Sequence, residues 1–352
     1  MTEELASRRL RVPVDPLEFY EYSLREGFGD GLPLCLPRES TVAALLDHTP
    51  LAPDALLGML APAANEVTVE KVAVNAALAG VEPRAFGYVV AALEAIMAPG
   101  FNWSAVAATT SSVTPILVVN GPRRAELGFD MQGGCMGGAG GRGSSTVGRA
   151  VQLCLRNLGG QLVPTTSKSV FGQPARVSGL CVAEWEEESP WPSLARRAGF
   201  GASEDVVTVH AGKGTFPLVD IHNDDVRDLL GLLGRSLAVP LTNLMVEVIA
   251  SRGETVIACN PVWAQRFGKE FPEVADLQAF VHDHAWQPIE MWPEGNQEIL
   301  RGLGRVDGDG RVHLAAGPEQ IIPIVCGGRG SLHAVALPSW GETWVQSVAV
   351  RR

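Results

Sequence analysis

The chain has no long basic run, and 28 lysines and arginines stand against 39 aspartates and glutamates, a formal net charge of −11 over 352 residues. A nucleic-acid partner or an anionic membrane surface is therefore not expected. No apolar stretch approaches the roughly 18 residues of a membrane span. The opening MTEELASRRLRVPVD lacks the apolar core of a signal peptide, so no membrane is expected and the expected location is cytoplasmic. Six cysteines, at 35, 135, 154, 181, 259 and 326, include no CxxC pair, and no HExxH occurs. Spacing thus offers no zinc site, and a cytosolic setting disfavours structural disulfides. Cys154, Cys181 and Cys259 lie in apolar runs and are expected to be small buried hydrophobes.

The composition, 46% hydrophobic and 19% charged, is that of a folded globular chain long enough for two domains. Residues 1–50 are loop-rich around GDGLPLCLP, with a helical pattern from Ser40 to Asp47. Residues 53–98 read as helices, including Thr68–Ala79 with its apolar face and a helix opened by Pro83. PILVVNGP (115–122) reads as a buried strand, followed by a helix Val147–Leu158 that Ser144, Ser145 or Thr146 can cap. VSGLCVAEW (177–185) is a strand candidate, and the polar segment 186–205, with its Pro and Gly, is the expected boundary between domains 1–195 and 196–352. The second half alternates: strands at VVTVHAG (206–212) and QIIPIVCGG (320–328), helices at Asp225–Leu237 and Ala275–Ala285, with MVEVIAS and ETVIACN as strands or buried helices. Alternation predicts an α/β fold of two layered halves, the first with a helical N-terminal subregion.

In MQGGCMGGAGGRGSSTVGRAVQL (131–153), seven of the first thirteen residues are glycine. A glycine-rich loop entering a helix presents backbone N–H groups at the positive end of the helix dipole. Gly134, Gly137, Ser144 and Ser145 are thus candidates to bind a carboxylate, a phosphate or a developing oxyanion, with Arg142 and Arg149 adding charge. The alternative is a flexible surface loop or lid. No lysine precedes Ser144, so the phosphate-loop pattern of nucleotide enzymes is absent and no cofactor is assigned. Cys135, near a helix start and two arginines, is the candidate nucleophile, although no histidine adjoins it in sequence. Lys71 and Asn75 stand four apart on one helix side. They can orient substrate or move protons, or they are a surface lysine and a structural asparagine. Asp220, His222 and Asp225 have the composition of a metal set, but a helix start, with Asn223 or Asp224 as N-cap and acids in the first turn, explains the acids without a metal. His282 and His284, two apart, do not share a helix face. CGGRGSLH (326–333), with Gly328 and Ser331, is either a backbone anion loop or a tight hairpin.

The ordered set GDGLP, VTVEKVAVNAALAG, the strand ending in NGP, STVGRAVQLCLRNLGG, CVAEWEEESPW and GGRGSLH, from about Gly29 to Trp340, resembles an uncharacterised bacterial family. Genes of that family often lie beside small proteins with a UGSC or CGSC selenoprotein-like motif. The resemblance implies a cytosolic protein that works with a small thiol- or selenol-bearing partner, and it implies no particular reaction. Its polar features fall on Glu70, Lys71, Asn75, Asn120, Arg149, Asn157, Glu184, Trp191 and Asn223. Two departures stand out: a cysteine within the glycine loop, and NPVWAQRFG where the family carries an acid- and histidine-containing segment.

The leading expectation is an enzyme of small-molecule metabolism acting on an anionic or carbonyl-bearing substrate. Asn120, the glycine loop and Gly328 with Ser331 would bind the substrate. Cys135 would serve thiol-dependent redox chemistry or cleavage of a carbon–heteroatom bond. The alternatives are a non-catalytic subunit completing the site of a thiol-bearing partner, and a metal-dependent hydrolase or lyase. The small-residue helices AALAG and AALEAIM fit a homo-oligomer.

Overall fold

The computed structural model describes residues 5–239, 253–330, 333–341 and 343–352. MVEVIAS (245–251) and Ser331 lie outside the described residues. The fold is α/β, with twelve α-helices and twelve strands among the described residues. The chain divides into two compact units. Unit 1 comprises Met1–Ala183, Ala198–Ala211 and Val345–Arg352; unit 2 comprises Glu184–Arg197 and Gly212–Trp344. The single boundary expected after residue 195 thus meets a chain that enters unit 2 at Glu184, returns at Ala198, leaves again at Gly212 and comes back at Val345.

Unit 1 opens with α1 (Pro16–Arg25) and α2 (Glu39–Leu46). Residues 56–68, expected as helix, instead form a hairpin of β1 (Leu56–Leu60) and β2 (Asn65–Thr68). A short apolar run such as LLGML has no helical period of its own, and Pro62 with Ala64 at φ 54° turns the chain back. The buried α3 (Val69–Ala79) follows, with the Thr68 hydroxyl accepting the Lys71 N–H at 3.4 Å and Gly80 closing it at φ 77°. Next come α4 (Phe86–Met97), α5 (Trp103–Ala108) and β3 (Thr114–Asn120). After the glycine loop, α6 (Arg142–Asn157) packs on α3 and α4 and leads to α7 (Ala175–Ser178) and β4 (Leu180–Ala183).

The unit 1 sheet has the order β12-β5-β3-β4, where β5 is Val206–Gly212 and β12 is Gln346–Ala349. β3 and β4 are parallel, and β12 is antiparallel to β5. Every residue of β3 and of β5 is buried, which is why both read as unbroken apolar runs rather than as alternating patterns.

Unit 2 contains α8 (Leu194–Arg197), β6 (Phe216–Val219), α9 (Val226–Ala238), β7 (Thr255–Cys259), α10 (Pro261–Glu270) and α11 (Val274–His284). It continues with β8 (Trp286–Pro288), α12 (Glu294–Gly302), β9 (Arg311–His313), β10 (Ile321–Val325) and β11 (His333–Pro338). Its main sheet has the order β10-β7-β11-β6, with β10 parallel to β7 and β11 antiparallel to β7 and β6. Leu230, Leu233, Trp263, Phe267 and Val281 form part of one core cluster with Ile257 and Ile321 of the sheet. Among the described residues no single helix is long and apolar enough to cross a membrane.

Candidate functional site

The glycine loop was expected to offer free amides to a ligand. The structure places a side chain of the protein, Asp130, on the amide that ends the loop. α6 begins at Arg142, with Gly141 as its N-cap, earlier than Ser144–Thr146 were expected to start it. The Gly141 N–H donates to both oxygens of Asp130, at 3.1 and 3.0 Å. The Gly143 and Ser144 N–H groups donate to the Gly128 carbonyl, at 3.0 and 3.4 Å. The Ser144 hydroxyl accepts the Asp130 N–H at 2.8 Å. The anion at this positive helix end is therefore Asp130, held by the loop that precedes the helix. Arg142 turns away from the loop and donates to the Gly80 carbonyl at the end of α3. Gly134, Gly137 and Ser145 are exposed, whereas Cys135 is 6% exposed.

Arg149 is likewise engaged. Its Nε and Nη2 donate to the two oxygens of Asp30, each at 2.9 Å, and its Nη1 to the Pro33 carbonyl at 2.9 Å. The GDGLP segment is thus wrapped around an arginine of α6, and the bidentate pair neutralises both charges. The Lys71 ammonium donates to the Glu66 carbonyl at 2.9 Å, which ties β2 to α3. Asn75, 4% exposed, donates to the Lys71 carbonyl and accepts from the Asn157 amide, each at 2.9 Å. This buried amide joins α3 to α6, the structural alternative of the sequence reading.

Asn120 ends β3 fully buried. Gly121 follows at φ 109°, packed so closely on Glu204 and Asp205 that no side chain fits. In unit 2, Gly328 belongs to the segment joining β10 to β11. Those strands flank β7, so this segment crosses the end of β7 and is not the tight hairpin considered above. Its Arg329 pairs with Glu188 and lies 5.2 Å over the Trp185 ring. Asp220 accepts the N–H groups of His222 and Asn223, at 2.9 and 2.8 Å. Asp225 caps α9 by accepting from Arg227 and Asp228. Among the described residues no group of three His, Cys, Asp or Glu is placed to hold a metal.

A different site in unit 1 has the character of a binding pocket. A cavity of about 480 Å³ lies beside α6 and the 161–177 segment, and its polar lining includes Gln152, Arg156, Gln161, Gln173 and Arg176. Asp30 also lines it, already paired with Arg149. Arg176 Nη2 donates to the Ser167 hydroxyl at 3.1 Å, and Arg156 Nη2 reaches the Gly27 carbonyl at 3.5 Å. Arg156 Nε and Arg176 Nη1 are buried without a hydrogen-bond acceptor. Burial lowers the Arg176 guanidinium from its ordinary value. Among the described residues neither arginine has a carboxylate partner. Two uncompensated guanidinium groups on one cavity are an anion-binding arrangement. The sequence reading passed over it, although a signal existed: Arg149, Gln152 and Arg156, spaced three and four apart, put a polar stripe on the amphipathic α6.

Lys213, between β5 and β6, also went unnoticed. Burial pushes its ammonium down to about 8. A lysine in AGKGT has no sequence signature of burial. The chain matches no protein-family profile and no curated protein.

Proposed function

We propose that the protein acts in small-molecule metabolism on a small polar substrate bearing a carboxylate or phosphate, anchored in unit 1 by Arg156 and Arg176. The observation that carries the reading is the pair of guanidinium groups on one cavity without a carboxylate partner among the described residues. A bound anion would meet the charge of the Arg156 and Arg176 guanidinium groups, with charge-assisted hydrogen bonds of about 1.5–3 kcal/mol each. Gln161 adds a neutral donor and acceptor for hydroxyl or carbonyl groups of the same ligand. The lining anchors and orients a substrate, and its one carboxylate, Asp30, is bound to Arg149. Cys135 and Lys71 do not line it, so this reading assigns them no contact with the anion.

The test is calorimetric titration with phosphate, succinate and citrate against wild type, Arg156→Gln and Arg176→Gln. At least one anion should bind wild type saturably and lose roughly tenfold or more in affinity with either substitution. Anions that bind wild type and both variants alike, or succinamide binding as tightly as succinate, would reject the reading.

A further inference from the structure

A second cavity of unit 1, about 580 Å³, lies under the N-terminal arm 5–14. Its body is apolar: Phe19, Phe28, Val42, Val74 and Leu78 line it. Its rim is basic, because Arg8 and Arg11 of the arm and Arg38 at the start of α2 line it as well. Two carboxylates border the cavity, and both are already engaged. Glu39 pairs with Arg9 at 2.6 Å. Glu70, 3% exposed, accepts the N–H groups of Ala6 and Ser7 at 2.9 and 2.7 Å. Burial alone would raise the Glu70 carboxyl, and the Ser7 and Ala6 hydrogen bonds outweigh it and hold the group below its ordinary range. Among the described residues Arg8, Arg11 and Arg38 have no carboxylate partner.

We propose that this arm-covered cavity is a second ligand site, for an amphiphilic anion whose apolar chain lies on Phe19, Val42 and Leu78 and whose carboxylate head meets Arg8, Arg11 and Arg38. Size, wall and charge agree on that class. The volume is that of a small-molecule pocket, and its apolar wall favours a hydrocarbon body over water. The rim holds an excess of arginine that no acid of the wall offsets. A fully polar anion would leave the apolar wall unused, and a neutral chain would leave the guanidinium groups without a counter-charge. The arm is the cover: Glu70 fastens it through two backbone amides, so a ligand enters by displacing the arm or sliding beneath it.

The inference stands apart from the Arg156–Arg176 pocket. The probe is 1-anilinonaphthalene-8-sulfonate, an aromatic body with one anionic head. Its fluorescence should rise saturably with the full-length protein and fall as decanoate displaces it. Decanol should compete at least tenfold less well, because it carries the chain without the charge. Arg11→Gln with Arg38→Gln should weaken decanoate tenfold or more and leave decanol unchanged. Arg156→Gln and Arg176→Gln should leave decanoate binding as in wild type, which separates failure here from failure of the other pocket. Decanoate should also slow amide exchange in peptides covering 5–14 and 70–78 of the wild-type protein. Equal competition by decanol, an unaffected double variant, or exchange protection confined to other peptides would overturn the proposal.

Discussion

Asp130 and Gly141 stand carboxylate to amide at the start of α6, with the Gly141 N–H shared between both oxygens of Asp130 at 3.1 and 3.0 Å. The positive end of this helix is occupied from within: Asp130 holds the Gly141 amide, and the Gly128 carbonyl holds those of Gly143 and Ser144. Asp130→Ala should cost about 1–2 kcal/mol, the scale of a lost helix cap. It should also uncover the Gly141 amide at the positive end of the helix. Urea melts in sulfate and in chloride at matched ionic strength are the check: sulfate should stabilise the variant more than wild type. An equal response in both proteins would show that Asp130 does not fill the site.

Cys135 is 6% exposed, whereas Cys35 is exposed. Burial pushes Cys259 up to about 12 and raises Cys154 and Cys181 further. Iodoacetamide should therefore label Cys35 first at pH 8, with Cys135 following slowly and Cys154, Cys181 and Cys259 protected until unfolding. Peptide mass spectrometry over a time course reads the order. Labelling of Cys135 as fast as Cys35 would mean that the loop opens and would return the thiol to the list of candidate nucleophiles.

Asp205, its side chain fully buried, takes the Arg123 N–H and Nε at 3.1 and 2.9 Å and also pairs with Arg352. Burial by itself would raise its carboxyl, and the hydrogen bonds from Arg123 and Arg352 hold it below the ordinary 3.8. A carboxyl lowered in the folded state binds protons more weakly there than in the unfolded chain. Its contribution is complete above 3.8 and is lost as pH falls through the lower folded value. Asp205→Asn should cost about 2–3 kcal/mol at pH 7, less than for a sealed ion pair because both arginines reach solvent. The variant should also lose less stability than wild type below pH 4. Urea midpoints from pH 7 down to pH 3 measure both effects.

Lys213 shifts in the opposite sense. Its amine titrates near 8 in the folded state and near 10.5 when unfolded, because burial disfavours the ammonium. Between those values the unfolded chain binds more protons, so this group makes stability rise with pH across 8 to 10.5 and sets a constant penalty below 8. Lys213→Met should remove that rise and stabilise the protein at pH 7. The chain has four lysines, so ¹³C-dimethylation gives few resonances to assign. One should titrate near 8 and be missing from the variant. Four resonances titrating above 10 would show that Lys213 is solvated.

Local signals were read well where a segment's own chemistry decides its structure. VVTVHAG is β5 over the same residues, 206–212, since a run buried on both faces needs no partner to look apolar. α9 starts in the acidic segment expected to start it, although its N-cap is Asp225 and not Asn223 or Asp224. LLGML failed because a short apolar run fits helix or strand until its neighbour is known, and β2 is that neighbour. The hairpin alternative for CGGRGSLH falls for a related reason: whether two strands are adjacent depends on what inserts between them, here β7.

The sequence by itself determined the α/β class and the buried central strands, because each follows from periodicity. It also marked Asn75 as a polar group that needs partners if buried, and singled out Arg149 and Arg142 as charges for a ligand. Only the tertiary structure decided which partner each one met. Arg149 found Asp30, 119 residues away, Asn75 found Asn157, 82 residues away, and Arg142 found Gly80, 62 residues away. Once those charges and amides had been matched inside the fold, the groups left for a ligand were ones the motifs had not singled out. Arg156, Arg176, Arg8, Arg11 and Arg38 are identified by having no carboxylate partner among the described residues, and no spacing in a sequence encodes that.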